Sequence, residues 1–288
     1  MEPAGLIASR FAMLAALLLL AGLPLHAITL KNRFESASPR RRLVMGGLAF
    51  VAAAASVWWA LESVAAMAGT SLATLDEQTF TAVLAATPLG AVMTWRLTAL
   101  AAVIIAMIVP IRALRHVVAA VAGAVALVTA VWTGHAGASE GAWGTIHRLA
   151  DAVHLLAAAT WLGALAGFVL GAFAESSVAK TQALADFART GSVVVALLVL
   201  SGIINALAIT GWPMPLWSGW SALLGLKLGL FAAMLALAGV NRWRITPALK
   251  RGEPGALPHL RRSLMVEFAL GLVVVGIVAL LGVLDPSA

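Results

Sequence analysis

Long apolar segments alternate with short polar segments along the whole chain. A helix needs about 20 mostly apolar residues to cross the hydrocarbon core of a bilayer. Eight segments meet this requirement: residues 4–30, 43–68, 88–110, 114–134, 146–173, 188–211, 221–240 and 261–284. The third and fourth are separated only by residues 109–112, where Pro110 ends the helix because proline cannot continue the helical hydrogen-bond ladder. The pattern predicts an all-α polytopic membrane protein with eight transmembrane helices, in which residues 1–288 form a single membrane domain.

Basic residues are confined to alternate loops, and this distribution predicts an orientation. Most of the 19 Lys and Arg residues lie in residues 31–42, 111–116, 174–190 and 241–262, whereas residues 69–87, 135–145 and 212–220 contain none. Basic loops stay on the cytoplasmic side of a membrane. Both termini are therefore predicted to be periplasmic, which agrees with an even number of spans.

The flanks of the first apolar segment differ from those of a signal peptide. Glu2 precedes the segment, and Lys31 and Arg33 follow it, which is the reverse of a positively charged leader. We expect this segment to be a retained first helix. The polar residues 70–87 predict an outer loop that contains a short surface helix.

Composition narrows the possible function classes. Charged residues make up 11% of the chain, against roughly a quarter in soluble domains, which excludes an ordinary soluble enzyme. The absence of cysteine excludes disulfides, thiolate metal sites and catalytic thiols. The net charge of +7 resides in short loops, so we expect the lipid bilayer and no nucleic acid as a partner. Neither a phosphate-binding loop nor a hydrolase motif occurs, so an enzyme is not expected.

A few charged side chains fall within the predicted spans. Placing a charged side chain at the bilayer centre costs about 2.5–3.5 kcal/mol of free energy. Each such side chain should therefore be paired with another charge or hydrated. They are Arg10, Glu62, Arg96, Arg148, Asp151, Lys227 and Glu267. Position along each span puts all of them in the outer half except Glu267. Two structural explanations stay open: interhelical pairing among Arg10, Glu62 and Arg96, and extension of Lys227 towards the surface.

The densest polar cluster lies around the start of the fifth predicted helix. His147, Asp151 and His154 are spaced by four and three residues, so they share one helix face. His135 can return to the same place across the preceding loop. Imidazoles with one carboxylate suit Cu(II) or Zn(II), although Asp151 could instead orient a histidine. The spacing alone leaves metal binding, proton handling and structural capping open.

Several segments resemble the bacterial copper resistance protein D (CopD) family. The first are Trp132–Ala136 and DAVHLLAAATWLG, which runs from Asp151 to Gly163. The others are Ser201–Asn205, Lys227–Phe231, Asn241–Arg242 and Leu260–Ser263 with Glu267. The resemblance is strongest over residues 130–284. The first half is similar mainly in helix number and charge pattern.

This resemblance implies an eight-helix inner-membrane protein that carries copper ions from the periplasm towards the cytoplasm. Carried over by position, the expected copper ligands are His135, His147, Asp151 and His154, with Asn205 and Lys227 as further polar positions. A separate periplasmic copper-binding protein is the implied partner. The oxidation state of the copper and the oligomeric state are left open.

Two other function classes remain as alternatives. A haem-binding electron-transfer protein needs histidines on facing helices, and only His154 lies clearly within a predicted span. A structural or assembly factor would use the polar cluster merely to hold helices together.

Overall fold

The computed structural model describes residues 4–29, 39–171, 177–212 and 218–285, and within them the chain is helical without strands. The α-helices are α1 (Ala4–Thr29), α2 (Pro39–Met67), α3 (Glu77–Ala86), α4 (Leu89–Ile108), α5 (Arg112–Val128), α6 (His135–Ala138), α7 (Gly141–Gly171), α8 (Ser177–Thr210), α9 (Gly219–Val240), α10 (Thr246–Lys250) and α11 (Ala256–Leu281). A 3₁₀ segment, Thr129–Thr133, extends α5, and a π-helical turn, Asn241–Ile245, joins α9 to α10.

Eight spans of the described chain are long and apolar enough to cross a membrane, which confirms the predicted all-α polytopic fold. The short surface helix predicted within residues 70–87 is α3, whose first turn is capped by Asp76 accepting a hydrogen bond from the Thr79 N–H at 2.8 Å. The main differences lie at helix ends. The helix α7 begins at Gly141 rather than 146, and α8 begins at Ser177 rather than 188. The α9 span continues through the π-turn to Lys250, so parts of two predicted basic loops are helical.

The two ends of the bundle differ in chemistry. At the end here called the basic end, α2, α5 and α11 begin, with Arg42 and Arg112 in the first turns of α2 and α5 and Arg262 in the second turn of α11. At the opposite, histidine end, α6 and the start of α7 carry His135 and His147. Of the basic residues used for orientation, Lys31 and Arg33 lie outside the described residues, as do the side chains of Arg40, Lys180 and Arg189. The predicted orientation, with a cytoplasmic basic end, stays a prediction.

The first helix lies at the centre of the bundle. It packs against α2, α5, α7 and α11, and its span is the most buried of the eight. Gly22 of α1 meets Ala159 and Gly163 of α7 so closely that a Cβ atom at either glycine would collide with the other helix. Small residues allow such close backbone approach in membranes. The site-bearing helix α7 is thereby fixed against the centre.

Two neighbouring helices at the edge are loosely packed. Over the described residues, α8 packs mainly against α7 and α9 mainly against α11, with little contact between α8 and α9. Their apolar spans are 11% and 6% buried inside the protein. A gap between α8 and α9 therefore faces the lipid.

Candidate functional site

One face of α7 carries three of the predicted site residues. His147, Asp151 and His154 follow one another at helical spacing. His147 is buried, with 2% of its surface exposed, and the other two are half-buried. Each makes a hydrogen bond to a polar side chain outside this face, and these bonds decide what the three residues can do.

The short helix α6 is attached to the first turns of α7. The Ser139 hydroxyl lies 2.8 Å from His147 Nδ1, and Arg148 donates a hydrogen bond to the Ser139 carbonyl at 2.7 Å. His135 opens α6 and interacts electrostatically with His147. His135 lies outside the spans, and burial, the largest cause, lowers its pKa below the usual value. Its imidazole is therefore neutral at pH 7, which is the form that can bind a metal.

Two hydrogen bonds join α7 to α8. Asn205 Nδ2 donates to Asp151 Oδ1 at 3.1 Å, and His154 Nδ1 lies 3.0 Å from Ser201 Oγ. The single hydroxyl hydrogen of Ser201 is donated back to the Leu197 carbonyl of its own helix. Ser201 must therefore accept from His154, which puts the proton on Nδ1 and leaves a lone pair on Nε2. An unprotonated Nε2 is a competent metal ligand.

Two cations lie near this group. Asp151 interacts electrostatically with Lys227 of α9 and Arg10 of α1, but neither forms an ion pair with it among the described residues. Arg10 donates a long hydrogen bond of 3.4 Å to the Gly282 carbonyl. Three buried atoms here have no hydrogen-bond partner in the described part of the chain: Arg10 Nε, His135 Nε2 and Asn205 Oδ1. Unpaired buried polar atoms are costly, so the polar groups around this part of α7 retain unused hydrogen-bonding capacity.

The structure does not gather the four predicted ligands into one metal centre. Within the described residues, no three His, Asp or Glu side chains are close enough to hold a metal ion together. The physical reason is the direction of the hydrogen bonds. His147 turns to Ser139, whereas Asp151 and His154 turn to α8. The shared site that the sequence spacing favoured is not preformed, and the ligand set stays a prediction.

The other intramembrane charges hold the first half together without ion pairs. Arg96 is fully buried. It donates to Thr129 Oγ1 at 2.8 Å and to Met13 Sδ at 2.9 Å, with its guanidinium 5.4 Å from the Trp59 ring centroid. Glu62 accepts from Trp58 Nε1 at 3.1 Å and lies against Gly5 of α1. The interhelical ion pairs left open for Arg10, Glu62 and Arg96 are absent from this described part.

A second polar pair lies nearer the basic end. Asn241 Nδ2 donates to Glu267 Oε2 at 3.2 Å, and both residues are buried. Asn241 opens the π-turn that follows α9, and single π-helical turns are frequent at functional sites. The sequence pointed to Glu267 as an inner residue but did not indicate its partner, because a π-turn leaves no periodic signal.

An apolar cavity of about 600 Å³ lies between α7, α8, α9 and α11. Its polar lining comes from His154 and Lys227. Among the apolar lining residues are Trp161, Phe231, Met234 and Gly271. We call this space the lateral cavity, because it opens between the loosely packed α8 and α9.

Comparison with known proteins gives consistent matches. Residues 1–145 match the sequence family described as copper resistance protein D-like, N-terminal domain, and residues 181–281 match the family copper resistance protein D. A relative from Pseudomonas syringae pv. tomato named Copper resistance protein D is 33% identical over 98% of this chain and 96% of its own length. Inner membrane protein YebZ of Escherichia coli (strain K12) is 35% identical over 53% of this chain and 54% of its own length. No solved structure matches the chain.

Proposed function

Since the chain belongs to the copper resistance protein D family, we propose that it carries copper ions across the inner membrane from the periplasm to the cytoplasm. The family resemblance predicted from residues 130–284 is confirmed, and the match of residues 1–145 extends it over the first half. The protein is a multi-pass inner-membrane protein of copper resistance. That copper is its cargo is part of our proposal, as are the direction of movement and the residues that handle the ion.

The observation that carries this proposal is the orientation of His154, whose Nε2 keeps a lone pair on the same face of α7 as Asp151. Ser201 holds the His154 ring with its proton on Nδ1, and Asn205 holds the carboxylate one helical turn away. A neutral imidazole and a carboxylate suit Cu(II), and imidazole alone also accepts Cu(I). His135 and His147 extend the donor set towards the surface.

The surrounding charge favours passage of the ion over storage. Arg10 and Lys227 both act on Asp151, and their positive charge lowers the affinity of this group for a cation. A conducting site must bind an ion strongly enough to admit it and weakly enough to release it. In our proposal the ion binds first at His135 and His147 and then moves past Asp151 and His154. From there it continues towards the basic end.

The path towards the basic end follows the interface of α7, α9 and α11. Met234 lines the lateral cavity beyond His154 and packs near Gly271 of α11. Glu267 lies one helical turn before Gly271 and bonds to Asn241. A thioether is a soft ligand for copper, and the buried carboxylate is the next anionic group. The membrane potential favours inward movement by about 2.3 kcal/mol per charge per 100 mV.

A separate periplasmic copper-binding protein is the proposed donor. The short helix α6 is the part of the site nearest the histidine end. Trp132 and Trp143, which lie on either side of α6 in the sequence, are half exposed. Exposed aromatic side chains are typical of contact surfaces. Docking there would present copper directly to His135.

The test is copper accumulation in cells that express the wild type or the double variant His147→Ala/His154→Ala. We expect the double variant to lose most of the protein-dependent copper uptake. The matched control is His259→Ala, an exposed histidine in the first turn of α11 at the basic end, which should accumulate copper like the wild type. Equal accumulation by wild type and double variant would remove the proposal.

Two further measurements separate the alternatives. Immunoblots of the membranes report abundance, and a purely structural cluster predicts that the double variant is lost from the membrane rather than inactive in it. A Soret band in the purified protein would favour the haem-binding alternative instead.

A further inference from the structure

The lateral cavity has apolar walls and two polar side chains, each of which can form a further hydrogen bond. Its volume of about 600 Å³ falls in the range of small-molecule sites and is too small for a helix of another protein. His154 Nδ1 is engaged by Ser201, which leaves Nε2 as an acceptor. Lys227 lines the same cavity, and its ammonium has no hydrogen bond in the described part of the chain.

The cavity opens between two helices whose outer surfaces are apolar and would face the lipid in a membrane-spanning bundle. Val199 and Ile203 of α8 and Leu228 of α9 line it and are 42%, 53% and 57% exposed on the outside of the bundle. Since α8 and α9 scarcely touch each other in the described residues, a molecule dissolved in the lipid can enter between them. The occupant must therefore be lipid-soluble.

The polar groups specify the head of this occupant. His154 and Lys227 are not hydrogen-bonded to each other in the described structure, and one is an acceptor while the other is a donor. A hydroxyl group complements both, because it donates one hydrogen and accepts another. The Trp161 and Phe231 rings, 6.2 Å apart between centroids, line the same cavity and offer flat walls, and aromatic faces favour a flat ring.

The depth of the site argues against a phospholipid head group. Lys227 lies eight residues inside α9, which is about 12 Å along the helix at a rise of 1.5 Å per residue. Pulling a phosphate that far into hydrocarbon is costly. We propose that the lateral cavity binds a lipid-soluble quinol, a flat apolar ring whose phenolic hydroxyl donates to His154 Nε2 and accepts from Lys227 Nζ.

The experiment uses copper-free, detergent-purified full-length protein and decyl-ubiquinol kept reduced under nitrogen. A ligand that binds the folded state raises the midpoint of thermal unfolding. We expect an upward shift for the wild type, and no shift for Lys227→Met or for Ala206→Trp, which fills the cavity from α8 without removing a polar group. The matched control is Ala91→Trp, which fills a separate apolar groove between α4 and α5 and should shift like the wild type.

The head group is tested with two analogues. The dimethyl ether of the same quinol lacks the hydroxyl hydrogens, and the oxidised quinone offers acceptors alone. Both should need at least tenfold higher concentration than the quinol for the same shift. Equal shifts for all three compounds would overturn the hydrogen-bond assignment.

The occupant of the native protein is identified by solvent extraction and mass spectrometry of the purified wild type. We expect quinol or its oxidation product in wild type and Ala91→Trp, and at least tenfold less in Ala206→Trp. Retention of a fatty acid or phospholipid instead, or equal quinol in all variants, would overturn the proposal. None of these measurements involves copper, so their outcome is independent of the transport proposal.

Discussion

At the scale of single residues, Ser201 decides what His154 can do. Its hydroxyl accepts from Nδ1 and donates to a backbone carbonyl, so the ring has a fixed tautomer with Nε2 free to act as an acceptor. Residues that orient a metal-binding histidine in this way commonly contribute 10–100-fold in metal affinity. Ser201 is therefore a positioning residue for the proposed copper path, although it never touches the ion.

Ser201→Ala tests this role. Removing the hydroxyl frees the ring to rotate or to change tautomer, so we expect half-maximal copper accumulation to need roughly tenfold more external copper, with little change in maximal uptake. Ser201→Thr keeps the hydroxyl and should restore most of the apparent affinity. If Ser201→Ala accumulated copper like the wild type at limiting copper, the orienting role would be excluded.

The sequence predicted the polar residues of this site better than their contacts. Periodicity placed His147, Asp151 and His154 on one face because an α-helix has a fixed rotation per residue. It could not indicate which neighbouring helix that face meets. Ser139 was missed, and Ser201 was noted only as part of a family-like segment and not as a partner of His154, because hydroxyl residues within membrane helices are common and usually bond to their own backbone.

At the scale of helices, the link between α9 and α11 is the Asn241–Glu267 pair. The pair is buried within the protein, and its hydrogen bond of 3.2 Å sits where α9 passes into the π-turn. Removing one partner of a buried hydrogen bond leaves the other unsatisfied, which costs about 1–3 kcal/mol. The pair therefore has a structural role that can be separated from any role in moving an ion.

Glu267→Leu and Glu267→Gln separate the two roles. The Leu variant deprives the Asn241 amide of its acceptor, so the free energy of unfolding should fall by about 1–3 kcal/mol, seen as a lower unfolding midpoint in detergent. The Gln variant keeps an acceptor oxygen and should unfold like the wild type. If the negative charge helps copper along the proposed path, the Gln variant will be normally abundant but accumulate less copper. Normal accumulation by the Gln variant would exclude the carboxylate from the path.

Helix number could be predicted from the sequence, whereas helix ends could not. Eight spans follow from length and apolarity alone, because every backbone polar group in lipid must be satisfied within a helix. Hydropathy did not predict that α7 starts at Gly141 or that the α9 span continues to Lys250. The reason is that hydropathy indicates only where the apolar part of a helix, which lies in the hydrocarbon core, ends. A helix can continue beyond that point into polar sequence.

At the scale of the whole molecule, the sequence did not predict which helices lie at the centre of the bundle and which lie at its edge. All eight spans have similar hydropathy, yet α1 is central and α8 and α9 are peripheral. In lipid, association depends on close packing of small residues rather than on burial of apolar surface. The contact of Gly22 with Gly163 is a close approach of this kind. The chain contains 26 glycines, so the sequence does not indicate which of them make such a contact.

The orientation of the whole molecule is the premise of inward transport, and the chain offers a clean way to measure it. Because the sequence contains no cysteine, a single introduced cysteine is the only thiol that a reagent can label. Glu140 lies exposed at the histidine end between α6 and α7, and Glu253 lies exposed at the basic end between α10 and α11. Among the described residues, Glu253 forms an ion pair only with Arg251, on the surface. Neither substitution should disturb folding, since exposed ion pairs contribute little.

In intact cells, a membrane-impermeant maleimide should label Glu140→Cys and leave Glu253→Cys unlabelled. After the inner membrane is permeabilised, both should react. The reason is the excess of Lys and Arg at the basic end, which holds that end in the cytoplasm. The reverse labelling pattern would place His135 and His147 in the cytoplasm, and the same donor groups would then meet copper on its way out of the cell rather than on its way in.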